Sequence, residues 1–155
     1  MRRKVLLRKS AIHGNGVFAA RHITAGERIA RYCGKVITHA QADRIADGGY
    51  DTGHTFFFTL NDRYVIDGGQ GGNIARWINH SCAPNCEPVM LIDHKHPKLD
   101  HVVIDAIRDI EPGEELGYEY GITLEGRVTA KMKQAWACRC GAAHCTGSML
   151  SLRRA

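Results

Sequence analysis

Three cysteines near the end of the chain, Cys138, Cys140 and Cys145, stand in the spacing Cys-x-Cys-x4-Cys. Thiolates this close along a chain suit a structural zinc ion, which takes four ligands in a tetrahedron with Zn–S bonds of about 2.3 Å. One short loop supplies three ligands, so a fourth must come from elsewhere. Cys33, Cys82, Cys86 and His144 are the candidates. A tail of this size does not fold without a staple, and metal binding would fold it and dock it onto the body. Disulfides are the competing use of these cysteines. Residues 1–12 begin with basic residues, as an export signal does, but Val5-Leu6-Leu7 is the whole apolar run before Arg8. Such a signal needs about 7–15 apolar residues. A reducing compartment is therefore expected, and with it metal rather than disulfides. His94 and His96 share one face of an extended segment, but no cysteine or carboxylate pattern surrounds them, and no metal is expected there.

The elements that would position these residues read as short strands and tight turns. Seventeen glycines in 155 residues suit such a chain. Residues 17–20 are apolar, 24–27 form a turn, and 28–33 alternate as a half-buried strand does. Residues 41–46 predict one or two helical turns, stopped at Gly48-Gly49. A hairpin is predicted over 55–66 around Asn61-Asp62. The glycine-rich 68–72 is a loop, without the helix start and lysine of a phosphate-binding loop. Then come a helical turn at 74–78, a polar loop at 93–100, a β-branched strand at 102–107, a turn at 111–114 and a short strand at 116–120. Residues 125–136 are a basic connecting stretch. The basic residues at 2–9 and 153–154 read as solvated, mobile ends.

Asn79-His80-Ser81-Cys82-Ala83-Pro84-Asn85-Cys86 resembles the signature of SET-domain protein lysine methyltransferases. Four further segments agree with that family, in its order. His13-Gly14-Asn15-Gly16-Val17-Phe18 is similar to the N-terminal cofactor loop. Asp67 followed by Gly72-Asn73-Ile74-Ala75-Arg76-Trp77-Ile78 is similar to the run into the signature, with Trp77 where Phe is usual. Gly113-Glu114-Glu115-Leu116-Gly117-Tyr118-Glu119-Tyr120 is similar to the catalytic end, and the cysteine tail to the post-SET zinc segment. The resemblance extends over residues 10–150, close to that of small bacterial members.

The resemblance implies a mainly β chain with short helices: the SET-domain β-clip fold of small sheets, with a pseudoknot and a zinc-bound C-terminal segment. In that knot Asn79–Cys82 passes beneath a loop formed by the later chain. It divides the chain into a SET domain at 10–121, a connecting segment at 122–137 and a post-SET zinc segment at 138–155. It implies transfer of a methyl group from S-adenosyl-L-methionine to a lysine ε-amine in a protein substrate such as a histone tail. Zinc is held by Cys138, Cys140, Cys145 and, on the resemblance, Cys82; Cys33 and Cys86 are then buried thiols. Tyr120 is the catalytic tyrosine. Tyr118 occupies the position that limits how many methyls are added, which implies mainly monomethylation. His13, Gly14, Asn15, Phe56, Asn79, His80, Arg139 and Leu150 are the cofactor contacts. His80 acts there through its backbone and by structural bonding, not as a general base. Lys35 stands where many relatives carry Glu, which bears on substrate charge preference. The short stretch 38–55 implies an open peptide groove.

Composition agrees with one soluble domain. The chain has a mass of 17.2 kDa, with 44% hydrophobic and 24% charged residues, enough for a core. No stretch approaches the roughly 20 apolar residues of a membrane span, so no membrane partner is expected. The net charge of +5 favours acidic partners, yet no basic run is long enough to make direct nucleic-acid binding primary. Action in a bacterial cytoplasm, or in a host nucleus after delivery, is the expected setting. Two other readings compete. A catalytically silent SET fold that binds peptides or chromatin has no need of Tyr120, Asn79, His80 and the zinc tail together. A basic zinc protein binding nucleic acid with strong salt dependence leaves residues 113–120 unexplained.

Overall fold

The computed structural model of the chain describes residues 3–12, 14–45, 56–120, Cys140 and Cys145. Val5–Lys9 forms strand β1 and Asn15–Ala19 strand β2, paired antiparallel from Val5↔Ala19 to Lys9↔Asn15. The turn between them is closed by the Ser10 amide donating to the Gly14 carbonyl at 2.7 Å, with Gly14 at φ 46°. That left-handed backbone is natural to glycine. Residues 5–9 are therefore not the mobile end their charge suggests. Val5 packs against the core while Arg8 and Lys9 stay exposed, so a short apolar run outweighs its charged flanks.

Two three-stranded antiparallel sheets follow. In one, Arg28–Arg31 (β3) and Cys86–Leu91 (β8) flank the central His101–Ala106 (β9). In the other, Lys35–Thr38 (β4) and Phe57–Thr59 (β5) flank Tyr64–Asp67 (β6). The β5–β6 hairpin lies where 55–66 predicts it. The helix α1, His39–Ile45, begins two residues before the predicted 41–46. Thr38 Oγ1 accepts from the Gln41 amide at 3.1 Å, and Gln41 Oε1 accepts from the Thr38 amide at 2.9 Å. This reciprocal Thr-x-x-Gln box satisfies amides that the first turn leaves unpaired. The predicted turn at 74–78 is a 3-10 helix, Ile74–Trp77. No helix among the described residues is long and apolar enough to cross a membrane.

A parallel pair joins the halves of the chain: Asn79–His80 (β7) lies beside Gly117–Tyr118 (β10), with Asn79↔Gly117 and His80↔Tyr118. Asn85 locks this crossing. Its Nδ2 donates to the Glu115 carbonyl at 2.8 Å and its Oδ1 accepts from the Gly117 amide at 3.0 Å. Its own amide donates to the Gly117 carbonyl at 3.1 Å. Below this junction the core gathers Val17, Ile23, Ile78, Ile104, Ile110, Leu116 and the Cys86 thiol, each under 2% exposed. Burial pushes the Cys86 thiol up to about 12, so it stays protonated. Cys33, expected to be buried, is only half-buried, its sulfur 3.7 Å from the Arg31 carbonyl.

Candidate active site

An extended chain puts alternate residues on one side, and Tyr118 and Tyr120 do share a side. Their rings lie 5.1 Å apart at 48°. Phe58 stands 6.5 Å beyond Tyr118, and Tyr32 5.1 Å beyond Phe58. This makes one aromatic wall of four rings drawn from three segments. The Tyr32 hydroxyl donates to the Phe56 carbonyl at 2.7 Å, and the Tyr120 hydroxyl donates to the Ile78 carbonyl. Burial raises the pKa of all three tyrosines, Tyr32, Tyr118 and Tyr120. They are neutral hydrogen-bond donors at physiological pH, not bases.

His80 connects this wall to the cysteines. Its Nδ1 accepts from the Tyr120 amide at 3.1 Å, and its ring meets the Tyr120 ring edge-on at 5.3 Å. An accepting Nδ1 in a neutral imidazole puts the proton on Nε2. Burial lowers the pKa of this ring, against a smaller opposing pull from Glu119, so the neutral form is favoured. Nε2 lies 3.5 Å from Cys82 Sγ and so donates to it. Both ring nitrogens are engaged, which leaves no lone pair for a general base.

Cys82, Cys140 and Cys145 come together with their sulfurs within 4.8 Å of one another. The Cys82 and Cys145 sulfurs are 3.7 Å apart. A disulfide would need about 2.05 Å. Two corners of a tetrahedron with 2.3 Å Zn–S bonds are separated by about 3.8 Å. The donor set and its spacing therefore fit zinc. Of the cysteines open to the fourth place, the fold brings in Cys82; Cys86 lies in the core. Cys138 is outside the described residues.

On the other side of β7, the Asn79 Nδ2 donates to the Asn15 carbonyl at 3.2 Å and to Glu115 Oε2 at 2.9 Å. Gly14, Asn15 and Asn79 thus form one cluster, next to Tyr118, Tyr120 and His80 through the β7–β10 pair. Phe56 is placed differently. Its ring packs edge-on against Trp77 at 5.0 Å, with the Arg76 guanidinium over both rings at 5.4 and 4.9 Å. Only its carbonyl, held by Tyr32, ties it to the aromatic wall. His13, Arg139 and Leu150 lie outside the described residues. Sequence reasoning passed over Tyr32, Asn85, Glu115 and Ser10. Glu115 and Asn85 stand inside quoted motifs, so their position was visible, but their bonds reach across the chain and nothing local marks them.

Residues 14–121 match the family model of the SET domain. The chain is 35% identical over 150 residues to the putative histone-lysine N-methyltransferase 1 of Plasmodium falciparum, covering 94% of this chain and 2% of that protein. It is 39% identical over 140 residues to human histone-lysine N-methyltransferase 2B, covering 88% and 5%. It spans a small fraction of the length of these relatives. The crystal structure of the Chaetomium thermophilum polycomb repressive complex 2 superposes with a TM-score of 0.69 at 31% identity, over 79% of this chain and 16% of that one.

Proposed function

The chain belongs to the SET-domain family, and from that premise we propose that it methylates the ε-amine of a lysine in a protein substrate such as a histone tail. The observation that carries the reading is the parallel β7–β10 pair, which sets Asn79 and His80 directly against Gly117 and Tyr118. Relatives that share this domain are named histone-lysine N-methyltransferases. When bound, S-adenosyl-L-methionine supplies a methyl group already activated on a cationic sulfur. The residues suit its amino-acid end: the Asn15 carbonyl and the Asn79 side-chain amide stand together beside the Gly14 turn. His13, Gly14, Asn15, Asn79 and His80 would hold it, with Phe56, Arg139 and Leu150 at its edges.

Lysine in water has a pKa of about 10.4 and must arrive as the neutral amine. The rings of Tyr32, Phe58, Tyr118 and Tyr120 disfavour the ammonium by desolvation. Tyr120 orients the amine with a hydroxyl that is itself pinned by the Ile78 carbonyl, which serves alignment rather than proton removal. The Tyr118 hydroxyl narrows the space available to an already methylated nitrogen, so mainly monomethylation is proposed. Zinc on Cys82, Cys138, Cys140 and Cys145 would act structurally and tie the 138–155 segment beside His80. On this reading residues 10–121 are the catalytic body and 122–137 the connector.

The test is transfer of labelled methyl from S-adenosyl-L-methionine to core histones and to a protein lysate, with Tyr120→Phe as control. Label on lysine that is lost in the variant supports the enzyme. Absence of both label and cofactor binding overturns it in favour of a silent binding module.

A further inference from the structure

Glu115 has no part in the chemistry above, yet it holds two of its components. An isolated bridge to Phe18 lays it across β2. Its carboxylate accepts from Ser10 Oγ at 2.8 and 3.0 Å and from Asn79 Nδ2 at 2.9 Å. Ser10 opens the turn that carries Gly14 and Asn15, and its Oγ also accepts from the Ile12 amide at 2.9 Å. Space for the carboxylate exists because residue 16 is glycine: a Cβ there would lie 2.7 Å from Glu115 Oε2. Among the described residues no lysine or arginine forms an ion pair with Glu115, so the carboxylate is not explained as half of a salt bridge.

A carboxylate only accepts, whereas a glutamine would turn an NH2 toward one of its two donors. The acid therefore suits this position for a specific reason. It takes the Ser10 hydroxyl and the Asn79 NH2 at once. With the Asn15 carbonyl on the same NH2, it decides which way the Asn79 amide faces, an orientation read from hydrogen-bond partners.

We propose that Glu115 is a positioning residue for the cofactor site, clamping the Ser10–Asn15 turn and the Asn79 amide into one geometry through a shared carboxylate. The proposal rests on the methyl-transfer reading for the identity of the cofactor, but the clamp itself is a property of the protein alone. Without it the turn loses the anchor of the Ser10 hydroxyl and the Asn79 amide loses one of its acceptors, so both are held less tightly. Both would have to be reset each time the donor binds.

The experiment compares the full chain with Glu115→Gln and Ser10→Ala, and uses two readouts. Hydrogen exchange without cofactor should show faster exchange confined to amides 10–16, with the β8–β9 sheet unchanged. Calorimetric binding of S-adenosyl-L-methionine should weaken by about 10- to 100-fold in Glu115→Gln, the loss expected for hydrogen bonds to a charged group. In transfer assays the KM for the donor should rise by a similar factor, while kcat at saturating donor changes far less. Ser10→Ala should show part of the effect, and the two substitutions should combine less than additively in the double variant, since they share the Ser10–Glu115 connection. Glu115→Asp, which keeps the charge on a shorter arm, should recover part of the affinity. Unchanged exchange at 10–16, or donor affinity within about twofold of wild type, would overturn the clamp. So would faster exchange spread evenly over the core, which marks a merely structural residue. Wild-type protein that binds no donor overturns the methyl-transfer reading instead, and the exchange of amides 10–16 in those same samples still decides on the clamp.

Discussion

His80 is bonded through both ring nitrogens, and two substitutions separate the two bonds. His80→Ala removes both. The Tyr120 amide loses the acceptor it now has at 3.1 Å in a part-buried position, and the full cost of about 1–3 kcal/mol for an unpaired buried donor is the upper range there. Cys82 Sγ loses the Nε2–H that lies 3.5 Å away. Partners of this kind change metal affinity by about 10- to 100-fold, which is about 1.4–2.7 kcal/mol. His80→Asn keeps an oxygen near the place of Nδ1 but reaches no further. It should preserve most of the stability and still lose the zinc affinity. The assay is competition for zinc with a chromophoric chelator, alongside urea unfolding of the metal-free protein, where zinc affinity does not enter the stability. Zinc affinity should fall in both variants and unfolding stability mainly in His80→Ala. Zinc held by both variants within about twofold of wild type would refute the donation to the thiolate. Equal destabilisation by the two substitutions would refute the role of Nδ1 as the acceptor for Tyr120.

Asn85→Ala leaves the Glu115 carbonyl and the Gly117 amide without their partners in a buried junction, and should cost about 2–4 kcal/mol in urea unfolding. Tyr118→Phe removes a hydroxyl from the aromatic wall. Mass spectrometry of the product should then show a shift from one methyl group toward two or three. The Glu27 carboxyl is held at about 2 instead of 4.5, first by the Arg21 guanidinium and then by the Thr24 amide. As pH falls from about 4.5 toward 2, the unfolded chain takes up a proton that the folded chain refuses, so stability drops through that window. Glu27→Gln should flatten that part of a stability-against-pH curve. The Cys86 thiol, buried and pushed up to about 12, should resist alkylation at pH 8 in the folded protein and react once it is unfolded in urea.

Local features of the fold were legible because their causes are local. The hairpin at 55–66 and the turns at 24–27 and 111–114 follow from residues next to one another; Gly26 and Gly113 both stand at φ 85°. The helix start was misplaced by two residues, although Thr38 and Gln41 already spelled the capping box. Residues 5–9 were misread because their charges are visible in sequence and their partner strand is not. Strand β8 alternates weakly and carries a proline, and it forms because β9 is there to pair with it along its full length.

By itself the sequence determined which chemistry was available: thiolates at metal-binding spacing, two tyrosines two residues apart, a glycine turn and an Asn-His pair. Composition and short-range sterics suffice for that. Only the tertiary structure decided how those groups are used. It chose Cys82 over Cys86 to stand with Cys140 and Cys145, put the His80 proton on Nε2, and turned the Asn79 amide toward Asn15 and Glu115. Each of these choices is a hydrogen bond or a sulfur–sulfur distance between segments far apart in the chain, as many as 64 residues for Asn79 and Asn15. No local preference encodes such a contact, because it exists only after the core beneath β7 and β10 has closed.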